Sequence, residues 1–249
     1  MRRIMLRVAY DGTNYHGWQV QPGAATIEGE LNKAISALTG EEVQVIGASR
    51  TDAGVHALGN VAVFDTWSRI PAEKFSCALN QRLPEDIAVQ QSEEVAPDFH
   101  PRHCDCHKTY EYTILNRRFP LPEYRNTAYF YYGRLDVEAM QRGAAAFVGE
   151  HDFAGFCSMG TQVQSTVRRI YSMTVEQQGE LIRLQVQGNG FLYNMVRAMV
   201  GTCIYAAEGK LDPAEIPAIL ESRNRTLAGP TAPPDGLYMT NLWYHENVL

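Results

Sequence analysis

No stretch of this 249-residue chain approaches the roughly 20 consecutive apolar residues that a membrane-spanning helix requires, so no membrane partner is expected. A secretory leader is not expected either. The opening Met1-Arg2-Arg3-Ile4-Met5-Leu6 is basic and partly apolar, but Arg7 interrupts any leader core and no small-residue cleavage site follows. Cysteine is scarce: Cys77, Cys104, Cys106, Cys157 and Cys203 are odd in number and scattered, which argues for reduced thiols and against a disulfide framework. These absences together predict a cytoplasmic protein. Positive charge is also in short supply, with 22 Lys and Arg against 28 Asp and Glu and a net charge of −6. Taken alone that balance disfavours nucleic acid as a partner, but phosphates respond to local patches. Residues 102–134 supply one, with Arg102, Lys108, Arg117, Arg118, Arg125 and Arg134 against Asp105, Glu111 and Glu123.

What is present is the 45% hydrophobic, 20% charged balance of a globular chain, long enough for one large domain or two small ones. Strands are predicted over 4–10, 43–48, 60–65 and 87–95, with helices over 26–39 and 71–81. Thr26 is placed to cap the first helix and Gly40 to stop it. The second half repeats the alternation. Strands are predicted over 109–116, 167–177, 181–188 and 237–244, and helices over 136–148, 191–207 and 213–222. Gln178-Gly179-Glu180 forms a hairpin-like turn. The pattern is α+β with largely antiparallel sheets, divided into domains 1–101 and 102–249 without a low-complexity linker.

The run Arg50-Thr51-Asp52-Ala53-Gly54-Val55-His56 falls between two predicted strands, where a rigid frame can present a catalytic loop. Gly54 permits a turn that other residues resist. Positive charge nearby holds a carboxylate such as Asp52 ionised, and an ionised carboxylate can act as a nucleophile. An aspartate that merely caps the turn and pairs with Arg50 fits the local spacing as well. Tyr110 and Leu237 read locally as ordinary strand residues. Arg197, in an apolar helix, demands a charge partner, for which Asp52 is a candidate.

A longer pattern bears on that choice. The segments Tyr10-Asp11-Gly12-Thr13-Asn14-Tyr15-His16-Gly17-Trp18-Gln19 and Thr26-Ile27-Glu28-Gly29, then Arg50 to His56, Leu79 to Ile87 and Phe99-His100-Pro101-Arg102, resemble successive blocks of the TruA family of tRNA pseudouridine synthases. Lys108-Thr109-Tyr110-Glu111-Tyr112, Phe191 to Arg197 and Gly236-Leu237-Tyr238-Met239 continue the resemblance in the same order. It implies two RRM-like α/β halves whose sheets meet at a central cleft, the pseudouridine synthase fold. The implied activity is isomerisation of uridine to pseudouridine in the anticodon stem-loop of tRNA, at nucleotides 38, 39 and 40, by a homodimer without cofactor or metal. Asp52 takes the nucleophile's position. Tyr110 takes that of the aromatic residue stacked on the target uracil. Arg197 takes that of the nucleophile's charge partner, Arg50 that of a basic residue admitting the flipped nucleotide, and Leu237 that of an apolar residue lining the uracil pocket.

Departures from the family pattern are few. Ser49 stands where glycine is common, and Pro101 where a small residue is common. The cluster His103-Cys104-Asp105-Cys106-His107 is not a family signature, and without a second Cys-x-x-Cys pair it falls short of a closed zinc site. Rival readings are weaker. A phosphatase needs an aspartate where Ala9 stands before Asp11-Gly12-Thr13. A non-catalytic RNA-binding module could use the aromatics Tyr129 to Tyr132, and a structural protein could use the apolar helix after Met195, but both leave the Asp52 loop without a purpose.

Overall fold

The computed structural model describes residues 1–102, 106–158 and 164–244. The chain forms two compact units, Met1–Cys106 with Tyr238–Leu249, and His107–Leu237. The expectations placed on His103, Cys104 and Asp105 lie outside the described residues. Among the described residues no group of three or more His, Cys, Asp or Glu side chains could hold a metal ion, and no helix is long and apolar enough to cross a membrane.

The first unit is built on β1 (Arg2–Tyr10), whose Ile4, Leu6 and Val8 are wholly buried. Each such side chain contributes roughly 1.5–3 kcal/mol. On one side β1 pairs antiparallel with β3 (His56–Thr66), and on the other with β4 (Ile87–Val95). The closing strand β10 (Leu237–Tyr244) adds to β3 in parallel, with Tyr238 opposite His56 and Met239 opposite Ala57. The helix α1 (Ile27–Thr39) buries Ile27, Leu31, Ala34 and Ile35, the spacing of one helical face. Thr26 Oγ1 accepts from the Gly29 amide at 3.2 Å, and Gly40 ends the helix at φ 74°.

The strand expected over 43–48 is reduced to β2 (Ile46–Gly47), paired with β3. Two of the residues missing from it bond α1 instead: the Val43 amide donates to Ser36 Oγ and the Val45 amide to Asn32 Oδ1. The helix expected over 71–81 divides into a 3₁₀ turn, Ala72–Lys74, and the short α2 (Phe75–Leu79).

In the second unit the antiparallel order is β5 (Cys106–Asn116), β9 (Leu181–Gly188), β8 (Val167–Gln178) and β7 (Gly149–Asp152). A two-residue connection with Gly179 at φ 61° joins β8 to β9. The aromatic run 129–132 contributes an unanticipated strand, β6 (Tyr129–Tyr131), parallel to β5. Asp136 caps α3 (Val137–Ala145), accepting from the Ala139 amide at 3.1 Å. The helix α4 (Met195–Ala207) is buried nearly all round, and α5 (Ile216–Ser222) follows.

Expected from residue 191, α4 begins only at Met195, because Asn194 adopts the left-handed conformation at φ 60°, which a continuing helix cannot contain. Over α4 runs an extended strap, residues 228–233, so close that a β-carbon on Gly201 would lie 1.7 Å from Pro230 O. The Gly229 amide donates to Thr202 Oγ1, and the Ala232 amide donates to Arg197 O.

Candidate active site

Asp52 sits in a turn whose backbone is bonded at several points to named neighbours. Its carbonyl accepts from the Val55 amide at 3.1 Å. Gly54, third in that turn, has φ 77°, the positive value a type II turn requires there. The segment 10–18 holds the loop from one side. Thr51 O accepts from the Trp18 amide at 3.0 Å, and the Gly54 amide donates to Tyr15 O at 3.2 Å. The buried Tyr10 hydroxyl bonds Thr51 Oγ1 at 2.8 Å. Asn60 Nδ2 donates to that same phenol oxygen and to Ser49 O.

Two glycines of the segment permit this approach. A β-carbon at Gly12 would fall 2.1 Å from Val55 O, and one at Gly17 would fall 2.6 Å from Thr51 O. At the loop's far end His56 is wholly buried. Its Nδ1 accepts from the Gly12 amide at 3.1 Å. Its ring lies flat on Tyr238, with centroids 4.4 Å apart at 15°. Asp52 itself is half-buried in this frame.

Arg50 is exposed two residues before Asp52. Burial and then the like charge of Arg50 lower the affinity of the Arg102 guanidinium for its proton. The Glu28 carboxylate acts in the opposite sense.

The remaining predicted residues belong to the second unit. Tyr110, on β5 opposite Val186, is 8% exposed and meets the Phe191 ring edge-on at 5.1 Å. Arg197 is half-buried on the first turn of α4. Its Nε donates to Ala232 O at 2.7 Å and its Nη1 to Asn194 Oδ1 at 2.8 Å. Next to Ala232, Pro233 O accepts from the Tyr112 hydroxyl at 2.8 Å, and burial of that phenol raises its pKa. The strap thus links α4 to β5. Leu237, where β10 begins, is 4% exposed.

Two cavities stand elsewhere. One of about 260 Å³ in the first unit is lined by Tyr10, Asp11, Glu85, Asp86 and Tyr238 among others, an acidic lining that suits no phosphate. The other, about 450 Å³ in the second unit, is mostly apolar, with Leu115, Leu121, Tyr124 and Phe130 in its wall. Neither is lined by any of the five predicted site residues.

Sequence reasoning missed the part played by Gly17 in the Asp52 loop and by Asn194 and Ser158 around Arg197. Asn194 directly precedes the Met195-Val196-Arg197 run, but its residue type points only to a helix cap, which its side chain does not form.

A family described as tRNA pseudouridine synthase matches residues 7–103 and 144–245, and the chain belongs to that family, whose members are isomerases acting on uridine in tRNA. Among its relatives, the "tRNA pseudouridine synthase A" of Thermoanaerobacter sp. (strain X514) is 49% identical over 244 residues, covering 98% of this chain and 100% of that protein. The protein of the same name from Ruminiclostridium cellulolyticum is 50% identical over 245 residues, with the same coverage. A crystal structure of the archaeal box H/ACA sRNP Nop10-Cbf5 complex superposes at a TM-score of 0.34 and 13% identity, over 81% of this chain and 43% of that one, a likeness too low to add to the assignment.

Proposed function

We propose that this chain converts uridine to pseudouridine in the anticodon stem-loop of tRNA, at nucleotides 38, 39 and 40, with Asp52 as nucleophile, and that it works as a cytoplasmic homodimer. The observation that carries the Asp52 assignment is the anchoring of its loop. Thr51 O, Asp52 O and the Gly54 amide are all bonded, and two glycines let the segment 10–18 close against the turn. A loop backbone held this way carries its carboxylate to the substrate without the loop first being ordered, and preorganisation of that kind can lower a barrier by several kcal/mol. A turn that served only to reverse the chain would need none of this support.

The reaction breaks the N1–C1′ bond of uridine, turns the uracil while it is held, and joins C5 to C1′. N1 gains a proton and C5 loses one, so no electrons are exchanged and no redox group is required. A carboxylate has two routes open to it, attack on C1′ or on uracil C6. A stacked base is out of reach, so the nucleotide must be flipped out. In this reading Tyr110 stacks on the uracil and removes the C5 proton, and its edge contact with Phe191 supports the ring in one plane. Arg197 pairs with the nucleophile and keeps it ionised. Arg50 draws in the phosphate of the flipped nucleotide, and Leu237 supplies an apolar wall.

The test is Asp52→Asn, with pseudouridine mapped in total tRNA after incubation with each protein. The variant is expected to bind tRNA with normal affinity and to leave uridines 38, 39 and 40 unconverted. Conversion at the normal rate would remove Asp52 from the nucleophile's role.

A further inference from the structure

We infer that Asn194 is a positioning residue for Arg197, fixed in its turn by Ser158; this rests on the reading that Arg197 serves the reaction. Asn194 occupies the N-cap of α4, where an asparagine ordinarily turns its side chain onto an amide of the first helical turn. Here it makes no such cap. The residue sits at φ 60° and ψ 7°. Its two ends are used separately: Oδ1 accepts from Arg197 Nη1 at 2.8 Å and Nδ2 donates to Ser158 Oγ at 2.8 Å. The Ser158 amide in turn donates to Tyr193 O, which ties the serine to the residue before Asn194.

The chemistry of the amide gives the arrangement a direction. A guanidinium can only donate, so Arg197 selects the flip that presents the amide oxygen to it, and the Ser158 hydroxyl accepts from the opposite Nδ2 end and anchors the side chain there. Arg197 is then held at two edges, Nη1 by Asn194 and Nε by Ala232 O. Two bonds on different edges of a planar group set both its plane and its rotation, which fixes where the other N–H groups point. A carboxylate partner is recognised through that geometry.

The competing explanation is that asparagine stands here only because it tolerates the left-handed conformation. Glycine satisfies that requirement with less strain. What glycine lacks is the amide, and both ends of the amide are engaged.

The experiment compares Asn194→Gly, Arg197→Ala, the double variant and the wild type as full-length proteins. Single-turnover release of tritium from tRNA labelled at uridine C5 gives the rate, filter binding gives tRNA affinity, and thermal melting reports the fold. Asn194→Gly relieves the backbone strain, so its melting temperature is expected to hold or rise. Its rate is expected to fall about tenfold to a hundredfold, the scale of one hydrogen bond to a charged group, with tRNA affinity within about twofold of the wild type. The double variant is expected to react no more slowly than Arg197→Ala alone. Ser158→Ala should show a smaller loss, and Ser158→Thr, which keeps the hydroxyl, should restore the rate. Wild-type speed in Asn194→Gly beside a slow Arg197→Ala overturns this inference and leaves the role of Arg197 standing. Wild-type speed in Arg197→Ala removes both. Losses that multiply in the double variant show that Asn194 acts by some other route, and overturn the inference as well.

Discussion

Replacing Gly17 by alanine tests whether the segment 10–18 sets the position of Asp52. At φ 85° the residue is left-handed, and an alanine there costs about 1–2 kcal/mol before any contact is considered. The new β-carbon would stand 2.6 Å from Thr51 O, 3.1 Å from Asp52 C and 3.2 Å from Ala53 N. Ordinary contact begins near 3.4 Å, so the Thr51 carbonyl must retreat by about 0.8 Å. These three are backbone atoms of the Asp52 loop, and no flexible side chain can yield in their place. The retreat strains the bond from the Trp18 amide to that same carbonyl.

Misplacement of a reacting group by about 1 Å costs up to about a hundredfold in rate. Single-turnover pseudouridine formation is therefore expected to slow by tens of fold, whereas tRNA affinity stays near the wild-type value. The strain alone should lower the melting temperature by roughly 2–8 °C in a chain of this size. A variant that melts earlier yet reacts at the wild-type rate would refute the reasoning, since the loop would then hold its position without the glycine.

Further outcomes are expected. Tyr110→Ala should weaken binding of the flipped base by about 1–3 kcal/mol, measured as affinity for an anticodon stem-loop oligonucleotide, while Tyr110→Phe keeps the stacking and loses only the hydroxyl. Affinity for tRNA should fall steeply between 50 and 200 mM salt, read by filter binding, and Arg50→Gln should flatten the slope by about one phosphate contact. Asp152 is held below the usual carboxylate range by the Thr166 hydroxyl, against the opposing effect of burial, with help from the Ala154 amide and Arg223. Its folded pKa lies below the unfolded one, so its stabilisation is complete above ordinary aspartate values and disappears as pH falls through the lower folded value. In acid melts Asp152→Asn should lose this component of the pH dependence; an unchanged curve counts against it. Gly201→Ala, whose added carbon has backbone within 1.7 Å, should displace the strap from α4 and lower both the melting temperature and the rate.

Much of the fold was legible because local and tertiary preferences agree. Thr26 and Gly40 mark the ends of α1 in sequence and in structure, and the Gly179 connection gives the β8–β9 hairpin directly. The misjudged segments are those where a distant or side-chain partner decides. Val43 and Val45 favour a strand, but their amides are taken by Ser36 and Asn32 of α1. β6 is only three residues long and exists by pairing with β5. The early start assigned to α4 overlooked Asn194, whose left-handed backbone no periodicity reveals. For the candidate site, residue type and order pointed to Asp52, Arg50, Tyr110, Arg197 and Leu237, of which only Arg197, a charge in an apolar helix, stands out by itself. The contacts of Gly17 and of Asn194 depend on atoms brought close by folding, and no spacing along the chain encodes them.

The parallel pairing of Tyr238 and Met239 with His56 and Ala57 has a consequence for synthesis. The loop that carries Asp52 emerges early from the ribosome, but the aromatic ring that lies on His56 emerges only after the whole second unit has been made. Until then β3 lacks a neighbour it has in the finished protein. Nascent or prematurely terminated chains therefore carry the Asp52 loop on a sheet that still lacks β10, the parallel neighbour of β3.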